Sequence, residues 1–202
     1  MQVCEIDSMQ RELTTVVLCQ IVFENRKRSG SLNDCLPSIN GTDCRIPQQG
    51  PAVMGNLFSS HKFNGKCALR YELGVDNVEG NLVWIEGPYP EGKYSDITIF
   101  CNFLQHFLIL LSAPRLMTDT GEALYHVKCP KCAVNPEENR RMQGLVRARH
   151  ETLNGRFKAW EILKQLYRHD IALHSYVFRA IAIIIQLTID SGEPLFAVEY
   201  ND

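Results

Sequence analysis

The sequence predicts an α/β protein in which helices flank a mixed sheet of about five strands, with a further helix at the N-terminus. Three observations indicate this class. Residues 67–75 alternate apolar side chains with polar or small ones, as a half-buried strand does. A second strand pattern at 81–86 follows the short loop 76–80, as in a β-hairpin. The last third of the chain carries two long stretches with helical periodicity.

The remaining elements are placed by the same reasoning. The Gly- and Pro-rich stretch 87–92 is expected to break the sheet. The full predicted order is a helix over 12–28, a strand over 39–46, the two hairpin strands, a helix starting at Ser95–Asp96, a strand over 115–118, and helices over 137–167 and 174–190. We divide the chain into an N-terminal helical extension, 1–35, and a core, 36–202. The 202 residues suit a single domain of this kind.

Composition gives few functional clues. Hydrophobic residues make up 45% of the chain and charged residues 22%, both ordinary for a globular protein, and the net charge is −2. The most apolar stretch, 181–189, is too short to span a bilayer. We expect it to be a buried core helix that packs against the sheet, and we expect no membrane association.

The eight cysteines are read as reduced thiols. The N-terminus carries no basic stretch followed by an apolar run, so the sequence does not predict secretion. Only Cys129 and Cys132 are closely spaced, and they have the separation of half a zinc site. Because no second pair of ligands accompanies them, two free thiols are the preferred interpretation and structural zinc is the alternative.

Basic residues concentrate in one region of this weakly acidic chain. Between positions 139 and 168 there are two acidic residues, Glu151 and Glu161, and eight basic ones: Arg140, Arg141, Arg147, Arg149, Arg156, Lys158, Lys164 and Arg168. Such a segment suits contact with a phosphate backbone. A solvated helix face is the other interpretation. Arg147, Glu151 and Lys158 stand at offsets of four and seven, so they share one helix face.

Several blocks of the chain resemble a known family. The ordered set resembles the transposase-derived DDE endonucleases of the Harbinger type, which have an RNase H-like catalytic core. The blocks cover roughly residue 34 to the C-terminus, at 40–46 (Asn-Gly-Thr-Asp-Cys-Arg-Ile), 60–63, 69–75, 80–88, 94–100, 147–158 and 192–196. Arg147, Glu151 and Lys158 also match the third acidic block of related bacterial transposases, in which a tyrosine would occupy the position of Gly144.

The resemblance implies cleavage of DNA phosphodiester bonds with Mg²⁺ or Mn²⁺, which needs three acidic positions. The first position is occupied here by Asn40, the second by Asp119, and the third by Glu151. Asp119 and Glu151 are the implied metal ligands. The family usually shows Asp-x-Gly-Tyr at the second position, whereas this chain has Asp-Thr-Gly-Glu at 119–122. The resemblance further implies that Arg147, Arg156 and Lys158 contact DNA phosphates.

Alternatives remain at each acidic position. Asn40 can offer an oxygen to a cation but no negative charge, so activity is expected to be impaired. Asp43 is a weaker substitute, because its odd offset from Asn40 puts it on the opposite face of a strand. Asp96 competes with Asp119 for the second position, but it also suits a helix N-terminus. Glu151 has a structural alternative as a surface partner of Arg147.

Two functions follow from the resemblance. The first is a metal-dependent nuclease acting on DNA, impaired at position 40. The second is an inactive transposon-derived relic that retains a DNA- or protein-binding role. The short stretch in front of the core leads us to expect no separate DNA-binding module there, so a partner protein could supply DNA recognition. A homodimer is compatible with the sequence. We expect a nuclear location, with the cytoplasm as the alternative.

Overall fold

The computed structural model describes residues 35–48, 57–76, 80–99, 115–118, 127–128 and 136–195. Its strands are β1 (Cys35–Arg45), β2 (Ser59–Ser60), β3 (Lys66–Asp76), β4 (Leu82–Pro90), β5 (Arg115–Thr118) and β6 (Val127–Lys128). Its helices are α1 (Asp96–Ile99), α2 (Pro136–Ala159), α3 (Glu161–Lys164) and α4 (His174–Asp190), with a 3₁₀ turn at Ile171–Leu173. The predicted helix 12–28 and the pair Cys129 and Cys132 lie outside the described residues.

The strands form one mixed sheet, and the α/β class is therefore confirmed. Strand β1 lies in its middle, antiparallel to β3 and parallel to β5. Strand β4 pairs antiparallel with the other edge of β3, and β6 continues the sheet in parallel beyond β5. The strands β2 and β6 are only two residues long. The main body of the sheet thus consists of β4, β3, β1 and β5 in that order.

One face of the sheet carries the apolar core. Thr42 of β1 lies opposite Tyr71 of β3, so both side chains are directed to the same face. The Tyr71 ring stacks on Phe178 of α4 with 3.8 Å between centroids, and Phe178 stacks on Phe157 of α2 at 4.6 Å. All three rings are fully buried. Helices α2 and α4 therefore cover the face to which the odd-numbered side chains of β3 point.

The opposite face of the sheet carries a buried ion pair. Arg70 of β3 donates to both carboxylate oxygens of Asp43 on β1, at 2.9 and 3.2 Å, and to Glu91 at 2.9 Å. Burial raises the pKa of Glu91, and the Arg70 guanidinium opposes that shift. Because Asp43 pairs with Arg70 here, it lies on the face away from Tyr71. The predicted opposite orientation of Asp43 is confirmed.

Several predicted element bounds are met and others are not. The strand 115–118 and the helix 174–190 have the predicted bounds. The prediction that 87–92 breaks the sheet was wrong, because β4 continues to Pro90. A register shift between Arg70 and Glu72 accommodates the extra residues, and Gly87 there has φ +123°. The single helix expected over 137–167 is interrupted at Trp160, whose backbone is extended (ψ 112°).

The expectation of a fully buried helix at 181–189 was wrong in part. Ile181, Ala182, Ile185 and Ile189 are buried against the sheet, as predicted. Ile183, Ile184 and Leu187 are exposed, so α4 does not bury its apolar residues on all sides. With the preceding turn, residues 171–190 are long and apolar enough to cross a membrane. Core helices of globular proteins pass that same test of length and composition.

The stacked rings predict where the stability of the core resides. Phe178→Ala should lower the free energy of unfolding by about 3–5 kcal/mol, because it removes a fully buried ring between two others and leaves a cavity. Phe178→Leu is the matched control, because it keeps an apolar side chain and should cost clearly less. Urea denaturation followed by circular dichroism measures both. Equal losses for the two variants would contradict the assigned role of the ring stack.

Candidate metal-binding site

Asn40 lies in the middle of the central strand. It is half-buried and stands opposite Leu73 of β3. Asn40 and Ser38 are two residues apart, so their side chains point to the same face of the sheet, the one covered by α2 and α4. The first of the three sequence-predicted positions is therefore directed toward the helix that carries the third.

The second position follows the end of the neighbouring strand. Strand β5 runs parallel to β1, and its last residue, Thr118, stands beside Ile39. Asp119 comes directly after Thr118 in the chain and lies outside the described residues. The backbones leading into positions 40 and 119 thus run side by side.

A buried hydrogen bond joins α2 to the central strand. The Nε2 atom of His150 is 2.8 Å from the Oγ atom of Ser38, and both residues are buried. The Ser38 hydroxyl also lies 3.4 Å from the carbonyl oxygen of Val75, to which it can donate when the His150 ring donates to Ser38 through Nε2. This bond fixes the helix residue before Glu151 against the strand residue two positions before Asn40.

Sequence reasoning missed this pair. Neither His150 nor Ser38 belongs to the set of residues that the sequence singles out. Their positions could have indicated the contact. Ser38 shares a strand face with Asn40, and His150 directly precedes Glu151, so each stands next to a predicted site residue. A second link lies next to it, because Arg149 is also buried and donates through Nη1 to the carbonyl oxygen of Asp76 at 3.2 Å.

The Glu151 side chain is exposed on the surface of α2. Arg147, one turn earlier, is exposed as well, and no ion pair joins the two side chains although both are described. The structural alternative for Glu151, a surface ion pair with Arg147, is therefore not seen. The carboxylate is free to accept a cation from solvent.

The lysine and arginine that follow on α2 make internal contacts. The ammonium group of Lys158 donates to the carbonyl oxygens of Asp43 and Leu163 and contacts Cys44 Sγ at 3.4 Å. An ammonium group has three hydrogens, so these contacts use its donors. Lys158 was expected to contact DNA phosphates, but here it ties α2 to β1. Arg156 donates through Nη2 to the carbonyl oxygen of Pro194 at 2.9 Å.

The alternative second position, Asp96, begins helix α1. Ser95 supplies the cap, because its Oγ atom accepts from the backbone N–H of Thr98 at 3.3 Å. The carbonyl oxygen of Tyr94 accepts from Arg70 at 3.3 Å, which places this segment near the ion pair on the far face of the sheet. Position 96 thus approaches the sheet from the side opposite Asn40, and this favours Asp119 as the second position.

The described donor set is poor in charge. Within the described residues, no group of three or more His, Cys, Asp or Glu side chains is arranged to hold a metal ion. The amide oxygen of Asn40 and the carboxylate of Glu151 are the described members of the predicted set, and Asp119 would add a second carboxylate. One amide and two carboxylates suit a single divalent cation better than two divalent cations that share a bridging ligand.

Comparisons of this chain with protein-family models, with curated proteins and with solved structures found no match.

Two buried histidines predict a loss of stability in mild acid. Burial lowers the pKa of His150 to about 4 and that of His174 to about 4, both from 6.5. The unfolded chain therefore binds more protons than the folded one between pH 4 and 6.5, and each histidine should cost on the order of 3 kcal/mol of unfolding free energy as pH falls through that window.

Two substitutions remove the titrating rings while keeping their hydrogen bonds. The side-chain amides of these two variants, His150→Gln and His174→Asn, can donate or accept. They can therefore still bond the hydroxyl of Ser38 and the hydroxyl of Tyr71, which lies 2.7 Å from His174 Nδ1. We expect urea midpoints of the double variant to vary less between pH 7 and 4.5 than those of the native chain. An unchanged pH dependence would show that other groups cause the acid sensitivity.

Proposed function

We propose that this chain is a transposase-derived nuclease domain of the Harbinger DDE type whose catalysis is impaired at its first acidic position. The proposal rests above all on the His150–Ser38 hydrogen bond, because it brings the helix that carries Glu151 against the strand that carries Asn40. Strand β5, which leads into Asp119, lies on the other edge of that strand. Positions 40 and 151 thus belong to elements that meet at β1, and the strand that precedes Asp119 in the chain pairs with β1 as well.

The order of the strands supports the same proposal. The first long strand is central, the next two long strands add to one side in antiparallel fashion, and the last two add to the other side in parallel. This is the order expected of the RNase H-like core that the sequence resemblance implies. The helix bearing Glu151 follows the last strand and packs across β1.

The residues available to a metal explain the proposed impairment. Asn40, Asp119 and Glu151 would hold a divalent cation, which when bound would activate a water molecule and stabilise the leaving oxygen. A carboxylate at position 40 would add a negative charge that an amide lacks. A cation held by the present set would therefore bind more weakly than one held by three carboxylates.

DNA contact is proposed for the exposed side of α2. Arg147 is exposed one turn from Glu151, so its guanidinium can reach a phosphate beside the scissile bond. Lys158 is left out of this proposal, because its ammonium group already contacts three groups within the protein. Arg156 has one guanidinium nitrogen engaged and makes at most a secondary contact. A nuclear location and a DNA-binding partner protein belong to the same proposal.

A second candidate is an inactive relic that binds DNA or a protein without cutting. The neutral side chain at position 40 favours it, because Asp43, the nearest carboxylate along β1, is committed to Arg70 on the other face. Two departures from the family patterns point the same way: Glu122 follows Gly121 where the family has a tyrosine, and Gly144 in α2 stands where related bacterial transposases have another tyrosine. The two candidates differ in one measurable respect, namely whether DNA is cleaved.

Plasmid nicking separates the candidates. In Mg²⁺ or Mn²⁺, Asn40→Asp should nick supercoiled DNA at least about tenfold faster than the native chain, because the added charge strengthens transition-state stabilisation by about 1.4 kcal/mol or more. Asn40→Ala is the matched control and should not gain activity. Adding Glu151→Gln to Asn40→Asp should abolish the gain. If native and Asn40→Asp proteins are both inert while equally stable, position 40 is not the limiting defect.

Metal binding can be measured without activity. Mn²⁺ titration followed by thermal unfolding should show a small rise in Tm for the native chain and a larger one for Asn40→Asp, because a ligand that binds only the folded state stabilises it. Glu151→Gln should remove both rises. Asp43→Asn tests whether Asp43 replaces Asn40 as a metal ligand, which its position on the other face of β1 argues against. If Asp43→Asn reduces the metal-dependent rise as strongly as Glu151→Gln does, the assignment of the two faces of β1 is wrong.

A further inference from the structure

The outward face of α4 is apolar along its whole length. Ile183 is 62% exposed, Leu187 58%, Tyr176 54% and Leu173 51%. With Ala180, these residues recur at intervals of three and four and lie opposite the buried face of the same helix. We call Leu173, Tyr176, Ala180, Ile183, Ile184 and Leu187 the α4 stripe.

Alternating spacings of three and four are what a helix presents to another helix. A stripe about 100° wide is typical of a helix face that packs against a neighbour, and seams between helices use this spacing. Single apolar residues scattered on a surface need no explanation, whereas these six recur along one face of one helix. The stripe is therefore built to receive a helix.

We propose that the α4 stripe is the docking site of the N-terminal segment Glu12–Arg28 of the same chain. This inference does not depend on the proposed function. The segment has the predicted helical pattern, with apolar side chains at Leu13, Val16, Val17, Ile21 and Phe23. It contains 17 residues, the same number as α4. The apolar side chains of the segment lie between positions 13 and 23, and a stripe that runs from 173 to 187 is long enough to cover all of them.

The point where the N-terminal segment joins the core suits this docking. The segment leads into β1, and Pro37 near the start of β1 pairs with Asp76 at the end of β3. The following strand, β4, begins at Leu82, whose backbone N–H donates to Gln186 of α4 at 2.8 Å. The start of β1 and the C-terminal half of α4 therefore lie at the same end of the sheet.

The connecting residues are long enough. Seven Cα–Cα steps from Arg28 to Cys35 can span up to about 25 Å. A helix docked on α4 would lie two layers above the sheet, which is roughly 20 Å if each layer adds about 10 Å. The connecting residues can span this distance but not much more. The C-terminal end of the segment must therefore lie near the C-terminal end of α4.

The charges at both ends support a parallel arrangement of the N-terminal segment and α4. Arg26, Lys27 and Arg28 end the segment and would lie near Asp190 and Glu193, both exposed at the C-terminal end of α4. The last carbonyls of α4 add negative potential there. At the other end, Glu12 would lie toward the N-terminus of α4, where the helix dipole favours a negative charge.

A second copy of the chain fits the stripe less well. A face about 25 Å long and about 10 Å wide gives roughly 250 Å² per copy, well below the 1,200–2,000 Å² that stable dimers bury in total. A tethered segment does not need so large a surface, because its effective concentration is on the order of millimolar.

Trypsin reports directly on docking, because Arg26, Lys27 and Arg28 lie at the end of the segment. In the full chain, Ile183→Asp should speed tryptic cleavage at 26–28 by tenfold or more, since a charge in the stripe releases the segment. Ser175→Asp is the matched control: it adds the same charge to a half-buried residue of α4 away from the stripe, and should leave cleavage unchanged. If Ile183→Asp does not fold, Ile183→Ser is read in the same way.

Val17→Asp tests the same contact from the N-terminal segment, because it places the charge on the segment and not on the α4 stripe. If Val17 and Ile183 meet, the single variants should each speed cleavage, and the double variant should be no faster than either. Multiplied effects in the double variant would overturn the proposal, as would an unchanged cleavage rate in Ile183→Asp. A native chain that elutes as a dimer, and becomes a monomer in Ile183→Asp, would assign the stripe to a second copy instead.

Discussion

The register between β1 and β3 is the constraint on which the rest of the structure depends. It directs Ser38, Asn40 and Thr42 toward the helices and Asp43 toward Arg70. A slip of one residue would exchange the two faces. The Asp43 carboxylate would then enter the aromatic core without a cation beside it, which costs several kcal/mol, and Arg70 would keep Glu91 but lose Asp43. The ion pair thus contributes to specifying the register as well as to stability.

This register also decides which side chains can serve a metal. Position 40 points to the side from which α2 approaches, and Glu151 is carried by that helix. Asp43 is closer to Asn40 along the chain than any other acid, yet it belongs to the other side of the sheet. Sequence proximity is therefore a poor guide to a metal site built from strands, whereas the parity of the offset is a good one.

The sequence predicted those elements in which apolar residues recur with the period of a strand or a helix. The alternating strand at 67–75, the strand at 115–118 and the helix at 174–190 fall where their patterns place them. The pattern failed where tertiary packing overrides local preference. Strand β4 runs through Gly87–Pro90 because a shift in its pairing with β3 absorbs the irregular residues. The exposure of Ile183, Ile184 and Leu187 could not be predicted, because apolar residues occupy both faces of α4.

The candidate site itself stays a prediction, whereas the contacts that support its elements were missed. Asn40 and Glu151 lie on elements that meet, as the family blocks imply, but the buried Ser38–His150 bond that joins those elements carries no distinctive pattern in the sequence. Lys158 shows the converse error. A lysine two turns from a candidate carboxylate resembles a phosphate ligand in the sequence, and only the folded chain reveals its contacts with backbone carbonyls of β1 and α3.

Gly87 offers a way to tell two evolutionary histories apart. Its backbone has φ +123°, and a Cβ atom there would lie 2.7 Å from the carbonyl oxygen of Arg70, so almost any replacement would disturb the middle of the sheet. Asn40, in contrast, has the ordinary extended backbone of a strand, which does not restrict its position to glycine. In a population of closely related copies, a gene kept for its folded shape would hold Gly87 constant while position 40 drifts. A gene under no selection would lose both at the same pace.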